Sequence, residues 1–254
     1  MQVYTLNEGS YSVAADKKFV PFDPSKDNPK DRPASLFISV QPFLVELNNS
    51  LILLDTGLGY SNEEGNMILH ENIKRAGFKP EDVEYVLMSH LHFDHAGGMV
   101  HKTESGMELS FPNATYVIQR GEWEGAFTNS SSSYRTEIFE FLQRNAQLLF
   151  VDESGQFTPE ISHELTGAHT PYHQTWLLDD GTDKVFFGGD VLPEPEELLR
   201  KFIAKYDFDG RKAMELREEF GKRAAAENWN CLFYHGKTRS TGFIQLDEGQ
   251  FKIV

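Results

Sequence analysis

Residues 89–98 read Ser-His-Leu-His-Phe-Asp-His-Ala-Gly-Gly, and the rest of the chain is best read outward from them. His90, His92, Asp94 and His95 put four metal-competent side chains into six consecutive residues. They follow directly on residues 83–88, an apolar run that predicts a buried strand. Imidazole and carboxylate are the donors that catalytic zinc and similar divalent ions favour. The alternate spacing of His90 and His92 turns both toward one ion, while Asp94 and His95 turn toward a neighbour. So dense a set predicts two ions rather than one. Gly97 and Gly98 suit a tight backbone with a helix starting nearby.

Three later strand ends repeat the arrangement. His169 lies in a loop reading Thr-Gly-Ala-His-Thr-Pro-Tyr-His from residue 166. Asp190 closes Phe-Gly-Gly-Asp from residue 187, and His235 stands in Leu-Phe-Tyr-His-Gly from residue 232. Ligands on strand ends sit on rigid supports. Asp55 opens an Asp-Thr-Gly turn after the apolar run 51–54.

Around these points the chain alternates strands and helices. Short apolar or β-branched runs at 36–40, 43–47 and 51–54 predict strands, with Asn-Asn-Ser from residue 48 as a hairpin connection. An amphipathic helix is expected over 64–76, closed by Gly77. Residues 115–119 read as a strand, 121–127 as a short aromatic helix or loop, 130–133 as a small polar loop and 136–145 as a helix. Strands follow at 148–151, 161–166, 175–178 and 184–187. The strongest helices are 196–206 and 209–228, both with early acidic residues. Strands at 231–234 and 242–246 close the chain. Residues 16–33, charged and rich in proline, predict a long loop, either a solvated excursion or a lid or subunit contact whose Phe19 and Phe22 cover the site. Two strand groups, each followed by helices, predict an α/β protein with two packed sheets and helices outside, in one domain spanning 1–254.

Composition sets the bounds. The 254 residues are 39% hydrophobic and 13% aromatic, enough for a substantial core. A formal charge of −15 argues against a general grip on nucleic acid or anionic membrane. A single cysteine, Cys231, excludes an internal disulfide framework. No secretory signal is evident, and no apolar run approaches the roughly 20 residues of a membrane helix. The expectation is a soluble cytoplasmic protein acting on a small molecule, as monomer or homodimer.

Taken in order, Asp55-Thr-Gly, the 90–95 cluster, Gly167-x-His169, Gly-Gly-Asp190 and His235 resemble the metallo-β-lactamase fold superfamily across nearly the whole chain. The resemblance implies a four-layer αββα sandwich with a two-metal site along one edge. It implies that His90, His92 and His169 hold one ion, that Asp94, His95 and His235 hold the second, and that Asp190 bridges them. Asp55 would orient ligands without binding metal. Two ions about 4 Å apart share a water, lower its pKa and hold a bridging hydroxide as nucleophile, with Asp94 or Asp190 relaying a proton to the leaving group. Zinc is the expected metal, with iron, manganese or cobalt as substitutes.

Within that superfamily, residues 89–98 are similar to the N-acyl homoserine lactone lactonases, which implies lactone ring opening and quorum quenching. They are similar too to organophosphate-hydrolysing relatives, so an organophosphate, aryl ester or thioester hydrolase is the alternative. A non-hydrolytic metal-binding or diiron redox protein is a further one, against which His92 counts. Many such lactonases carry a tyrosine shortly after the bridging aspartate, whereas here Asp190 is followed by Val-Leu-Pro-Glu-Pro. Tyr206 and Tyr234 are the stand-ins available, and with Phe93 they form the expected substrate pocket. His173, four residues past His169, is expected behind the ligands. His70, His101 and His163 read as helical, loop and half-exposed strand residues, and Cys231 as buried packing.

Overall fold

In the computed structural model, which describes residues 1–104, 106–129 and 131–254, two β-sheets pack face to face with helices on their outer faces. One sheet runs in the order Gln2–Thr5, Phe43–Leu47, Ser50–Leu54, Tyr85–Leu87, Thr115–Gln119, Gln147–Val151. The other runs Gly155–Thr158, Ile161–Leu165, Gln174–Asp179, Lys184–Phe187, Trp229–Leu232, Thr241–Asp247, Gln250–Ile253. This is the four-layer αββα arrangement expected.

Side-chain alternation along each strand builds the layers. In Thr115–Gln119, Val117 faces the other sheet, while Tyr116 and Ile118 face the helices. Between the sheets, Val45, Ile52, Leu54 and Leu87 meet Trp176, Leu178, Val185 and Phe187. Helices Ile68–Arg75 and Thr136–Asn145 bury Leu69, Ile73, Ile138, Phe139 and Leu142 on one outer face. Helix Gly210–Glu227 buries Ala213, Phe220 and Ala224 on the other, against Phe186, Trp229 and Cys231. No helix among the described residues is long and apolar enough to cross a membrane.

Strand register decides where the site forms. Ser50–Leu54 and Tyr85–Leu87 are parallel, with Leu54 beside Leu87. Lys184–Phe187 and Trp229–Leu232 are parallel too, with Phe187 beside Leu232. Each pair therefore ends level, and the loops carrying Asp55, His90, Asp190 and His235 leave from matching ends.

Several expected boundaries shift. The helix expected over 64–76 begins only at Ile68, because the Asn62 side chain accepts from the backbone N–H groups of Glu64 and Asn66 and holds a turn there. The helix expected over 196–206 ends at Leu199. Beyond it the backbone extends, and the Phe202 carbonyl accepts from Arg217 Nη1 at 2.7 Å, a tertiary bond that helical spacing cannot announce. His101 lies on the hairpin Val100–Thr103 with Gly106–Leu109, not in a loop. His163 is buried against Trp176 rather than half exposed. Strands Gly155–Thr158 and Gln250–Ile253 had no recognised signal. The 16–33 segment is more than a loop: Phe19–Pro21 pairs as an edge strand with Gly9–Val13, a position that tolerates proline. Of the 130–133 loop, Ser130 lies outside the described residues.

Candidate metal centre

Asp190 is the meeting point of the site. Its Oδ1 lies 3.1 Å from Nε2 of His95 and 3.1 Å from Nε2 of His235. Its Oδ2 lies 3.2 Å from Nε2 of His169 and 3.9 Å from Nε2 of His90. One carboxylate thus turns a separate oxygen to each of two histidine groups. Asp94 Oδ2 stands 3.5 Å from His235 Nε2 and 3.8 Å from His95 Nε2, on the Oδ1 side. His92 Nδ1 stands 3.1 Å from His169 Nε2, on the other.

Among the described residues, donor atoms of His90, His92 and His169 cluster closely enough to hold an ion, and so do those of Asp94, His95 and His235. A third grouping, Asp55 with His90 and His95, satisfies the same distances but is explained otherwise. Asp55 accepts from Ser89 N at 2.7 Å and Ser89 Oγ at 2.6 Å, and its Oδ2 is 2.7 Å from His95 Nδ1. Its oxygens are committed to orientation.

The outer partners fix which ring nitrogens face inward. His95 Nδ1 is held by Asp55, His169 Nδ1 by Asp207 Oδ1 at 2.9 Å, and His235 Nδ1 by the Ser39 carbonyl at 2.7 Å. All three partners accept, so each Nδ1 carries its proton. Ser89 Oγ gives its hydrogen to Asp55, so it accepts from His90 Nδ1 at 3.1 Å. Four rings therefore point Nε2 lone pairs into the centre. Among the described residues, the buried His90 Nε2, His95 Nε2 and Asp190 Oδ1 have no hydrogen-bond partner; the 3.1 Å approach of the last two is an ion-pair distance without hydrogen-bond geometry. Inward-facing, buried, unpartnered donors of this chemistry fit a pair of divalent cations.

Electrostatics follows from the crowding. Burial and neighbouring imidazoles hold His90 and His92 well below the ordinary histidine range. Burial pushes the Asp190 carboxyl up, but His95, His235 and His169 outweigh it and hold it well below the usual carboxylate range. Burial lowers His95 and His235, but Asp190 and Asp94 outweigh it and hold both above the ordinary histidine range. His90, His92 and Asp190 therefore stand in the deprotonated forms that bind metal, while His95 and His235 give up protons as an ion enters.

Of the other residues picked from sequence, His173 is buried behind Asp190: its Nε2 accepts from the Asp190 N–H at 3.1 Å, and Nδ1 lies 2.9 Å from Thr166 Oγ1. Phe93 and Tyr206 line the cavity that opens at the site. Tyr234 does not. It is fully buried, stacked on His95 at 4.1 Å, and its hydroxyl donates to the Asp94 carbonyl at 2.6 Å, so it braces the ligand loop from behind.

Three residues escaped sequence reasoning. Asp207 holds His169, as above. Glu122, in helix Arg120–Thr128, accepts from Leu91 N, Tyr134 OH and Thr170 Oγ1, and so ties together the loops of His90, His92 and His169. Arg217, buried in helix Gly210–Glu227, donates from Nε to the carbonyl of Val191, next to Asp190, at 2.6 Å. The first two are ordinary acids by sequence. Arg217 carries the one usable signal: a cation on the apolar face of an amphipathic helix.

The cavity measures about 380 Å³. One wall is apolar, with Val13, Phe19, Leu36, Ile38 and Phe93. Phe19 packs edge-on to Phe93 with ring centres 6.2 Å apart, so the 16–33 segment does reach the site. Phe22 does not; it packs against Phe37 of strand Leu36–Val40, with ring centres 4.6 Å apart.

Residues 37–235 match the sequence profile of the metallo-beta-lactamase superfamily, and the chain belongs to that superfamily. It is 32% identical over 178 residues to an N-acyl homoserine lactonase of Bacillus cereus, the alignment covering 62% of this chain and 65% of that one. It is 34% identical over 149 residues to the N-acyl homoserine lactonase AttM of Agrobacterium fabrum, covering 55% and 48%. The alignments thus span about half to two thirds of these relatives. Two solved structures share the fold: AbOPH, a hydrolase in the beta lactamase superfamily (TM-score 0.76, 21% identity, 100% of this chain and 93% of that one), and AidC, a dizinc quorum-quenching lactonase bound to its product N-hexanoyl-L-homoserine (0.74, 22%, 99% and 93%).

Proposed function

We propose that this chain is a two-metal hydrolase that opens the ring of an N-acyl homoserine lactone or a closely similar ester. The observation that carries the two-metal reading is Asp190, whose oxygens face His169 and His90 on one side and His95 and His235 on the other. His90, His92 and His169 would hold one ion, Asp94, His95 and His235 the other, and Asp190 would bridge them. Bound there, two divalent ions, zinc first among them, supply an activated water and a Lewis acid for the carbonyl. Asp94, facing the cavity beside His235, is placed to take the proton of the attacking water. The apolar wall of Phe19, Ile38 and Phe93 receives an acyl chain and keeps bulk water from the carbonyl. The lactonase relatives support the lactone over other esters.

Metal analysis of the purified protein, followed by assay on a homoserine lactone, an aryl phosphotriester and a thioester, tests the reading. The expected result is two divalent ions per chain and the fastest turnover on the lactone. Turnover confined to the phosphotriester would reassign the substrate. Iron with oxygen consumption and no hydrolysis would remove the hydrolase.

A further inference from the structure

Beside the metal centre the cavity wall carries a tyrosine–carboxyl pair with no ligand task. Tyr206 keeps 39% of its surface accessible and sets its ring edge-on to His169, with centres 5.9 Å apart. Its hydroxyl lies 3.1 Å from Oε1 of Glu197, a cavity-lining acid that is only 8% exposed. The other Glu197 oxygen faces Arg217 Nη2 at 3.0 Å. That same nitrogen lies 3.3 Å from Asp207 Oδ2, whose other oxygen holds His169. With its bonds to the Val191 and Phe202 carbonyls, Arg217 fixes Glu197, the Asp190 turn and the Tyr206–Asp207 loop in one frame.

A buried carboxyl is an expensive partner for a phenol unless it does something a neutral group would not. Burial pushes Glu197 up to about 7, so near neutrality its protonated and ionised forms coexist, where an exposed glutamate would be ionised. Tyr206 donates to Glu197 when the latter is a carboxylate; protonated, Glu197 donates to the phenolic oxygen instead, and the phenolic hydrogen is free to turn into the cavity. Asp94, grouped with His235 and His95 at the metal centre, is left to the proton of the water.

We infer that Tyr206 and Glu197 form the relay that protonates the leaving oxygen of the substrate. As the acyl carbon–oxygen bond of the ring breaks, its electron pair stays on the ring oxygen, which takes the phenolic proton of Tyr206. The phenolic oxygen takes the carboxyl proton of Glu197, which is left as a carboxylate opposite Arg217. Solvent returns a proton to Glu197 before the next turnover. The relay rests on the lactone reading of the site.

An alkoxide leaving group needs such a proton, whereas a thiolate, with a thiol pKa near 8.5, leaves without one. Tyr206→Phe and Glu197→Gln, loaded with zinc and checked for metal content, are therefore to be compared with wild type on an N-acyl homoserine lactone and on the matching thiolactone. For Tyr206→Phe, kcat on the lactone falls about 100-fold and on the thiolactone by about threefold at most. Glu197→Gln keeps a hydrogen bond to Tyr206 but not the transferable proton, and it loses about 10-fold on the lactone alone. Equal losses on both rings, or none on the lactone, overturn the relay. A wild type that opens the lactone while the variants match it defeats the relay alone; a wild type that opens neither ring defeats the lactone reading and the relay with it.

Discussion

Asp207 Oδ1 stands 2.9 Å from His169 Nδ1, while its other oxygen stands 3.3 Å from Arg217 Nη2. The carboxylate is fully buried, so the imidazole is oriented by a charge that is itself oriented. Partners of this kind fix ring tautomer and basicity, and their loss costs about 10- to 100-fold in metal affinity. Asp207→Asn is predicted to weaken, by that factor, the ion that His169 would hold, measured by competition with a chelator. Unchanged affinity would mean that packing alone orients His169.

Asp55 gives a prediction that needs no metal. Its side chain takes three donors, Ser89 N, Ser89 Oγ and His95 Nδ1, at 2.6–2.7 Å. Its backbone is left-handed, with φ of 55°, a conformation that asparagine also tolerates. Asp55→Asn therefore keeps the turn but puts an amide N–H₂ against a buried donor. Urea unfolding of the metal-free protein should show a loss of about 2–3 kcal/mol. A loss confined to the metal-loaded form would assign Asp55 to ligation instead.

Much of this was legible in the sequence because the candidate ligands cluster where apolar runs stop. The strands at 36–40, 43–47, 115–119 and 184–187 are found where short apolar or β-branched runs placed them, since a strand buried on both faces is apolar at nearly every residue. What sequence did not disclose depends on single long-range bonds. Phe202 leaves helical geometry for Arg217, 15 residues on. Asp207 reaches His169 across 38 residues, and Tyr234 turns its hydroxyl to a backbone carbonyl 140 residues away. None of these has a local spacing to detect.

Gly98 follows the helix Phe93–Ala96, which carries Asp94 and His95, and sits against the turn that carries Asp55. A Cβ there would lie 1.9 Å from the Thr56 carbonyl oxygen, a backbone atom that no rotamer change can move aside. Thr56 is also tied to the ligand helix, its N–H donating to the His95 carbonyl at 2.7 Å. Gly98→Ala must therefore part the two segments, at a cost of about 2 kcal/mol or more. Melting temperature and metal occupancy should fall together. A variant with unchanged melting temperature and full occupancy would show that the two segments can shift without disturbing the ligands.

Glu8 supplies the pH test. It is buried, its Oε2 accepts from Leu58 N at 2.7 Å, and its Oε1 has no hydrogen-bond partner among the described residues. Burial pushes the carboxyl from 4.5 up to about 8, against the opposing pull of the Leu58 and Gly59 N–H groups. Between those values the folded chain keeps a proton that the unfolded chain releases. Stability from this group is therefore fully present below pH 4.5 and is lost as pH rises toward 8. Glu8→Gln, which cannot ionise, lacks that slope. Urea unfolding of both metal-free proteins from pH 5.5 to 8 should show wild type losing stability relative to Glu8→Gln, at about 1 kcal/mol per pH unit. Parallel curves would mean that the Leu58–Gly59 turn holds Glu8 as an ordinary carboxylate, with its backbone N–H groups outweighing burial.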